Sequence, residues 1–247
     1  MSGHSKWSNI KRKKEKTDSQ RAKIFTKIGR EIAVAVKSGG PDPAANSKLK
    51  DVIAKAKQNN VPNDNIERII KRAAGDGAND SYEDIVYEGY GPGGIAVVVQ
   101  CLTDNRNRTA GDLRHYFDKC GGSLGQTGSV MFMFDKKGVI DIEISEDGTP
   151  GEDEVMECAL DAGALDFSVE NEAYEILTEP NDLSRVKDEI EARGYMAAYS
   201  EVDYLPMTYT APADDDVKAK MEKLIDLLED NDDVQKVWHN MEESEQE

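Results

Sequence analysis

The sequence contains little of what catalytic, metal-binding and membrane-spanning proteins need. Its 247 residues include three histidines and three cysteines, and aromatic side chains make up 6% of the chain. His4, His115 and His239 are scattered, so neither a HExxH motif nor a GxSxG nucleophile motif is present. No run approaches the roughly 18 apolar residues of a transmembrane helix. We therefore expect no catalytic residues, no metal site, no cofactor and no membrane partner.

The cysteines and the N-terminus indicate a cytoplasmic protein. Cys101, Cys120 and Cys158 are odd in number and widely spaced, which is typical of reduced core thiols rather than of a disulfide framework. The basic N-terminal stretch is not followed by an apolar segment, so it lacks the pattern of a secretory signal.

The charge is divided unevenly along the chain. Residues 1–75 contain 18 Lys/Arg and 7 Asp/Glu, a formal charge of +11. Residues 76–247 contain 13 Lys/Arg and 42 Asp/Glu, a formal charge of −29, and the two parts sum to the net charge of −18. A basic module within an acidic protein is the electrostatic signature of nucleic-acid binding.

Hydrophobic periodicity predicts a small helical bundle at the basic end. The first helix covers Thr17–Ser38, and the second runs from about Pro43 to Asn59. A third begins at a capping box formed by Asp64 and Glu67 and ends at Gly75. The short turn between the second and third helices is compatible with a helix-turn-helix. A plain helical hairpin fits the same pattern, because no residue distinguishes a recognition helix.

Basic residues of this region are the candidate contacts to nucleic acid. Each phosphate that a lysine or arginine neutralises releases condensed cations, so affinity grows with the number of such contacts. Trp7 could in addition stack on a base. The predicted contacts are Lys6, Trp7, Lys11, Arg12, Lys13 and Lys14 in an N-terminal arm, Lys23, Lys27, Arg30 and Lys37 on the polar face of the first helix, and Arg106 and Arg108 in a later loop.

Two loops beyond the bundle have unusual compositions. In Thr103–Thr109 (TDNRNRT), Arg106 and Arg108 can bind phosphates or carboxylates bidentately. Binding of a ligand and pairing with acidic neighbours both remain open for these arginines. The glycine-rich run Glu88–Gly94 leads into a strand instead of a helix, and this predicts a tight turn rather than a phosphate-binding loop.

After a polar linker at Gly75–Ser81, strands and helices alternate. One of the predicted strands is Ser129–Phe134, and the order suggests two α+β sandwiches of the ferredoxin-like, split β-α-β type, one inserted in the other. The fold class is thus α+β, with an N-terminal three-helix bundle. The predicted domains are 1–75 (basic, helical), 82–134 with 205–240 (discontinuous α+β), 135–204 (inserted α+β) and an acidic tail at 241–247.

Several compositionally unusual strings occur in an order that is similar to the YebC/PmpR family. They are Gly3–Trp7 (GHSKW), Phe25–Lys27 (FTK), Gly39–Asn46 (GGPDPAAN), Tyr87–Gly94 (YEGYGPGG), Thr103–Thr109 and Phe134–Ile140 (FDKKGVI). The chain resembles that family over essentially its full length. The resemblance implies a helical bundle and two α+β domains around a central cleft.

The resemblance also implies a role in gene expression. Members of the family are described as transcriptional regulators that bind promoter DNA. The related mitochondrial protein is a translational activator of cytochrome oxidase subunit I, and bacterial relatives are linked to ribosomes and to relief of stalling at proline-rich stretches.

We therefore expect a non-enzymatic, DNA-binding transcriptional regulator, the alternative being a translation factor that binds ribosomal RNA. A scaffold whose acidic part docks ribosomal proteins is a third hypothesis, and an enzyme that uses the cleft is the least favoured. The sequence leaves open the choice between DNA and RNA, the target, a small ligand in the cleft and the oligomeric state, for which a monomer is slightly favoured.

Overall fold

The computed structural model describes residues 18–75, 82–145, 150–170 and 172–242. Over these ranges the chain forms seven α-helices and eight β-strands, with N-terminal helices followed by two four-stranded antiparallel sheets. The predicted α+β class is confirmed. None of the described helices is both long enough and apolar enough to span a bilayer.

The described chain divides into two compact units. The N-terminal unit contains residues 18–75, 82–131 and 212–240, and the inserted unit contains residues 132–211 except the gaps, together with 241–242. The predicted separation of the helical bundle as a third domain stays a prediction.

Three helices begin the N-terminal unit: α1 (Asp18–Gly39), α2 (Ser47–Gln58) and α3 (Asn63–Ala74). They enclose an apolar core whose buried members include Ile28, Ile32, Leu49 and Ile66. The connection from α1 to α2 is fixed by the buried side chain of Asn46. Its Oδ1 accepts a hydrogen bond from the Leu49 amide at 3.0 Å, and its Nδ2 donates to the carbonyls of Ala35 and Gly40 at 2.8 Å.

Two predicted helix starts were wrong. Because Asn46 is the N-cap, α2 begins at Ser47 and not near Pro43. The α3 helix begins at Asn63, after Pro62, and no side chain caps it, so Asp64 and Glu67 form no capping box. Pro62 is the N-cap residue, and its carbonyl accepts hydrogen bonds from the amides of Asn65 at 3.0 Å and Ile66 at 3.2 Å.

The first sheet and two helices complete the N-terminal unit. The elements are β1 (Glu83–Tyr90), β2 (Ala96–Thr103), α4 (Arg106–Cys120), β3 (Ser123–Leu124), α7 (Asp215–Asp230) and β8 (Val234–His239). The strand order in the sheet is β3-β1-β2-β8. Its central strand β2 is apolar and almost wholly buried, and Leu113 and Phe117 of α4 and Met221 and Leu224 of α7 are fully buried.

The sequence pattern did not predict β1, because its acidic and aromatic residues hide the alternation of burial. Its last three residues, Glu88–Tyr90, lie in the run that was predicted to form a tight turn. The predicted tight turn is present as a single 3₁₀ turn at Pro92–Gly94, in which Gly93 has a φ of 70°. It connects β1 to β2 as an antiparallel pair.

The inserted unit is a ferredoxin-like β-α-β-β-α-β sandwich. The elements are β4 (Phe134–Glu143), α5 (Glu152–Asp161), β5 (Asp166–Glu170), β6 (Ala173–Thr178), α6 (Leu183–Ala192) and β7 (Tyr199–Pro206). The strand order in the sheet is β5-β6-β4-β7. Both helices contribute to one core, in which Val155 and Ile190 pack among Ile140, Ile142 and Ile176.

The strand predicted at Ser129–Phe134 is absent, and a loop with a 3₁₀ turn at Met131–Met133 takes its place. The cause is the buried carboxylate of Glu88 on β1. It accepts hydrogen bonds from the amides of Gly128 (2.6 Å), Val130 (2.9 Å) and Met131 (2.8 Å). These amides are therefore not available to a strand ladder.

Burial by itself would raise the pKa of Glu88, but the three amide hydrogen bonds outweigh it and leave the pKa below its ordinary value of 4.5. The stability that Glu88 contributes is thus fully present above pH 4.5. It is lost as the pH falls through the lower pKa of the folded state.

We expect Glu88→Gln to lower the free energy of unfolding at pH 7 by about 2 kcal/mol. In the variant, an NH₂ group replaces one of the two oxygens, and it would face a backbone amide that is also a donor. The difference from wild type should shrink as the pH falls below 4.5 and through the lower pKa of Glu88 in the folded state. Urea unfolding followed by circular dichroism at several pH values measures both effects. Glu222→Gln, at an exposed position of α7, is the control, and equal losses in the two variants would contradict the assignment.

Candidate nucleic-acid interface

The cationic face predicted on α1 lies against acidic groups of its own unit. Lys23 Nζ is 2.7 Å from Asp230 Oδ1, and Lys27 Nζ donates to the Glu229 carbonyl at 2.7 Å. Both partners are at the C-terminal end of α7, where free carbonyls and the helix dipole favour cations. These two lysines therefore have intramolecular partners.

Arg30 and Arg108, two predicted contact residues that are far apart in sequence, meet at one carboxylate. Asp233 is buried, and its Oδ1 lies 2.6 Å from Arg30 Nη1 while its Oδ2 lies 2.8 Å from Arg108 Nη2. Its Oδ2 also accepts from the hydroxyls of Thr109 (2.8 Å) and Thr103 (3.2 Å). Asp233 thus joins α1 to the start of α4 and the end of β2.

The hydrogen bonds to Asp233 determine its ionisation. Burial raises the pKa of this carboxyl group, but hydrogen bonds from Arg108, Thr109 and Arg30 overcome that effect and hold the pKa below its usual range. Arg30 donates further to the carbonyls of Leu102 (3.2 Å) and Asp232 (2.7 Å), and its guanidinium lies 5.4 Å from the ring centroid of Tyr82. The guanidinium of Arg30 is therefore bound by groups of its own unit.

The Thr103–Thr109 loop gives its two arginines different roles. Arg108 is held by Asp233 and, at 2.8 Å, by Asp104. Arg106 is exposed on the first turn of α4, and its guanidinium forms no ion pair with the described residues. Asn105 caps this helix through its Oδ1, which accepts from the Arg108 amide at 3.1 Å. The structure thus brings Arg108 together with Arg30 and leaves Arg106 facing solvent.

Other cations of the bundle are exposed and have no partner among the described residues. Lys48, Lys50 and Lys57 of α2 and Lys71 of α3 lie on the surface, and none makes a hydrogen bond or ion pair within the described ranges. Lys55, by contrast, is 2.9 Å from Glu31. Charge placement in the sequence did not separate these two groups, because it does not show which cations meet an acidic partner.

A cavity of about 230 Å³ lies between α1, α3 and Tyr82. Its lining includes Gly29, Lys37, Ile69, Arg72 and Tyr82. Lys37, the fourth predicted contact on α1, is therefore at the edge of a concave surface that has both basic and aromatic groups. The predicted contacts Lys6, Trp7, Lys11, Arg12, Lys13 and Lys14 lie outside the described residues.

Asp233 has two roles, one in a turn and one as the shared carboxylate of Arg30 and Arg108, and the sequence pattern did not identify the second. A turn is present, since the Asp233 amide donates to Asn231 Oδ1 at 2.9 Å. The only signal for the second role was one carboxylate within a polar turn before a short apolar strand. Among the described residues, no group of three or more His, Cys, Asp or Glu side chains is arranged to hold a metal ion.

We expect Asp233→Asn to lower the free energy of unfolding by about 3 kcal/mol, because it leaves two arginines without their shared carboxylate. Hydrogen exchange in α1 should accelerate, since Arg30 loses its principal anchor. Asp232→Asn is the matched control, because that neighbouring side chain is exposed. Urea unfolding and amide exchange measured on both variants test this assignment, and identical behaviour would refute it.

Known proteins with similar sequences and structures cover nearly the whole chain. A "Probable transcriptional regulatory protein" from Acetivibrio thermocellus is 60% identical over 240 residues, which cover 97% of this chain and 98% of that protein. One from Caldicellulosiruptor bescii is 57% identical over 246 residues and matches 100% of both chains. The crystal structure of the conserved hypothetical protein Aq1575 from Aquifex aeolicus has a TM-score of 0.84 and 41% identity, covering 94% of each chain.

Family models match both parts of the sequence. The model of the TACO1/YebC protein N-terminal domain matches residues 5–76, and the model of the TACO1/YebC second and third domain matches residues 82–241. The boundary between the matches coincides with the polar linker and with the change in charge. On this coverage, the chain belongs to the TACO1/YebC family.

Proposed function

We propose that this protein is a non-enzymatic, DNA-binding regulator of transcription. It contacts phosphates through exposed lysines of α2 and α3 and through its basic N-terminal segment, residues 1–17. The observation that carries the proposal is the division of the bundle's cations. Lys23, Lys27 and Arg30 of α1 bind carboxylates and carbonyls of their own unit, whereas Lys48, Lys50, Lys57 and Lys71 face solvent.

Exposed lysines without internal partners are the groups best suited to bind a polyanion. No internal ion pair has to be broken before they contact phosphate, so the gain from counterion release is not reduced. Lys50 and Lys57 are seven residues apart on α2, which places them on one face about 10 Å apart along the helix. Arg106 offers a further exposed guanidinium on α4.

A role for Lys23, Lys27 and Arg30 in phosphate binding stays a prediction. To bind phosphate, these side chains would have to exchange Asp230, the Glu229 carbonyl and Asp233 for the ligand. Arg106, which is exposed and makes no ion pair with the described residues, requires no such exchange. We therefore assign the main contact energy to α2, α3 and the N-terminal segment.

The names of the relatives support the transcriptional role, since proteins 60% and 57% identical to this chain are called probable transcriptional regulatory proteins. The chemistry of the cysteines supports a role without catalysis. Cys101, Cys120 and Cys158 are buried, and burial raises the pKa of Cys101 to about 12. That thiol stays protonated at neutral pH and is a poor nucleophile.

The test compares Lys50→Gln/Lys57→Gln with the control Lys119→Gln/Lys223→Gln, which removes two positive charges from exposed positions of α4 and α7. We expect the first variant to bind duplex DNA more weakly, on the order of tenfold per lost phosphate contact at 0.1 M salt. The slope of log K against log salt concentration should fall by about one per lysine. Fluorescence anisotropy over a salt series measures both quantities.

Equal effects of the two double variants would remove α2 from the interface. A parallel titration with a folded ribosomal RNA fragment separates the translational alternative, in which RNA shape and 2′-hydroxyls carry recognition. Tighter binding of that fragment than of promoter duplex, with the same dependence on Lys50 and Lys57, would favour the translational alternative.

A further inference from the structure

The sheet of the inserted unit has two faces, and its helices belong to only one of them. Ile140 and Ile142 of β4 and Ile176 of β6 share a core with α5 and α6. Side chains alternate along a strand, so Val139 and Asp141 point to the opposite face. The register places Leu177 and Glu201 beside Val139, and Glu175 and Tyr199 beside Asp141. We call this the outer face.

The centre of the outer face is buried although α5 and α6 pack on the other side. Val139, Ala173 and Asp203 have no exposed surface, and Asp141 is 1% exposed. Apolar and carboxylate groups are therefore both covered there. A segment that covers this surface has to offer apolar contact in the middle and cationic groups at the carboxylates.

The outer face is strongly acidic. Asp141 and Glu175 are direct cross-strand neighbours, and Glu143, Glu201 and Asp203 lie on the same face. Like charges placed opposite one another destabilise a sheet unless a cation lies between them. Tyr199 donates its hydroxyl to Asp203 at 2.6 Å, which adds polar contact but no positive charge. Lys137 is the one cation on this face among the paired residues of β4, β6 and β7.

The N-terminal segment has the complementary chemistry. Residues 1–17 contain six Lys/Arg and one Glu, and their large apolar side chains, Trp7 and Ile10, lie next to or near cations. Strands are spaced about 4.8 Å apart, so crossing β6, β4 and β7 requires about 10 Å, the length of three or four extended residues. The segment is therefore long enough to span the face and still extend beyond it.

We propose that the outer face of the inserted unit is the docking surface for the basic N-terminal segment of the same chain, with Trp7 over the apolar centre and lysines at the surrounding carboxylates. In one respect this inference rests on the proposed function, which assigns the same segment to contact phosphates. The segment would then bind either this face or nucleic acid. The acidic face acts as an internal competitor, and the affinity for nucleic acid depends on the fraction of molecules in which the segment is released.

Zero-length carbodiimide cross-linking of the full-length protein, followed by mass spectrometry, tests the contact directly. We expect links from Lys6 and Lys11–Lys16 to Glu143, Glu175 and Glu201. The Lys23–Asp230 pair, at 2.7 Å, is the internal positive control. A sample mixed from ¹⁴N- and ¹⁵N-labelled protein identifies the chain that donates the segment.

Absence of these links while Lys23 still links to Asp230 would overturn the proposal. Links found only between differently labelled copies would also overturn it, because the segment would then dock on a second molecule. Links from the outer face to some other segment would identify a different occupant. All three outcomes are independent of whether the protein binds nucleic acid.

The competition is tested with Glu175→Gln/Glu201→Gln, which neutralises two half-buried carboxylates of the outer face. The matched control is Glu157→Gln/Asp188→Asn, which removes the same charge from exposed positions of α5 and α6. We expect the first variant to bind a fluorescent DNA duplex threefold to tenfold more tightly than the control. Equal affinities of the two variants would contradict the competition. Cross-links present in a protein that binds neither duplex nor RNA would instead refute the proposed function.

Discussion

The N-terminal unit depends on the sharing of one buried carboxylate between two arginines. Asp233 accepts from Arg30 on α1, Arg108 on α4 and the hydroxyls of Thr103 and Thr109. A buried carboxylate is costly unless its charge and lone pairs are satisfied, so these donors and their elements are held in fixed relation. The helical bundle is attached to the sheet through this ionic contact.

The same constraint limits which cations are available for function. A basic helix beside an acidic sheet domain uses part of its charge to bind that domain, and α1 does so with Lys23, Lys27 and Arg30. Lys48, Lys50, Lys57 and Lys71 of α2 and α3 are exposed and make no such pair with the described residues, whereas Lys55 binds Glu31. The formal charge of +11 in residues 1–75 therefore overstates what a polyanion meets. If the inserted unit also holds the N-terminal segment, the acidic body regulates binding by occupying cations.

Much of the fold could be predicted from the sequence, because the relevant signals are local. Apolar spacing identified the helices of the bundle, the alternating strands and helices indicated two α+β sandwiches, and the glycine-rich run predicted the turn at Pro92–Gly94. The misses were β1 and the strand predicted at Ser129–Phe134. Both involve Glu88, whose carboxylate makes a strand look polar and takes up the amides of a distant apolar segment. Local patterns do not contain that long-range pairing.

Composition and periodicity act over a few neighbouring residues, and they were enough to predict the α+β class, the position of the change in charge and the family motifs. Which cations are paired internally and which are exposed became clear from the folded structure alone. Lys27 and Lys50 are equally basic in sequence, yet one meets the end of a helix and the other meets solvent. The physical reason is that electrostatic pairing depends on distances between groups about 200 residues apart, which the chain sets only when it folds.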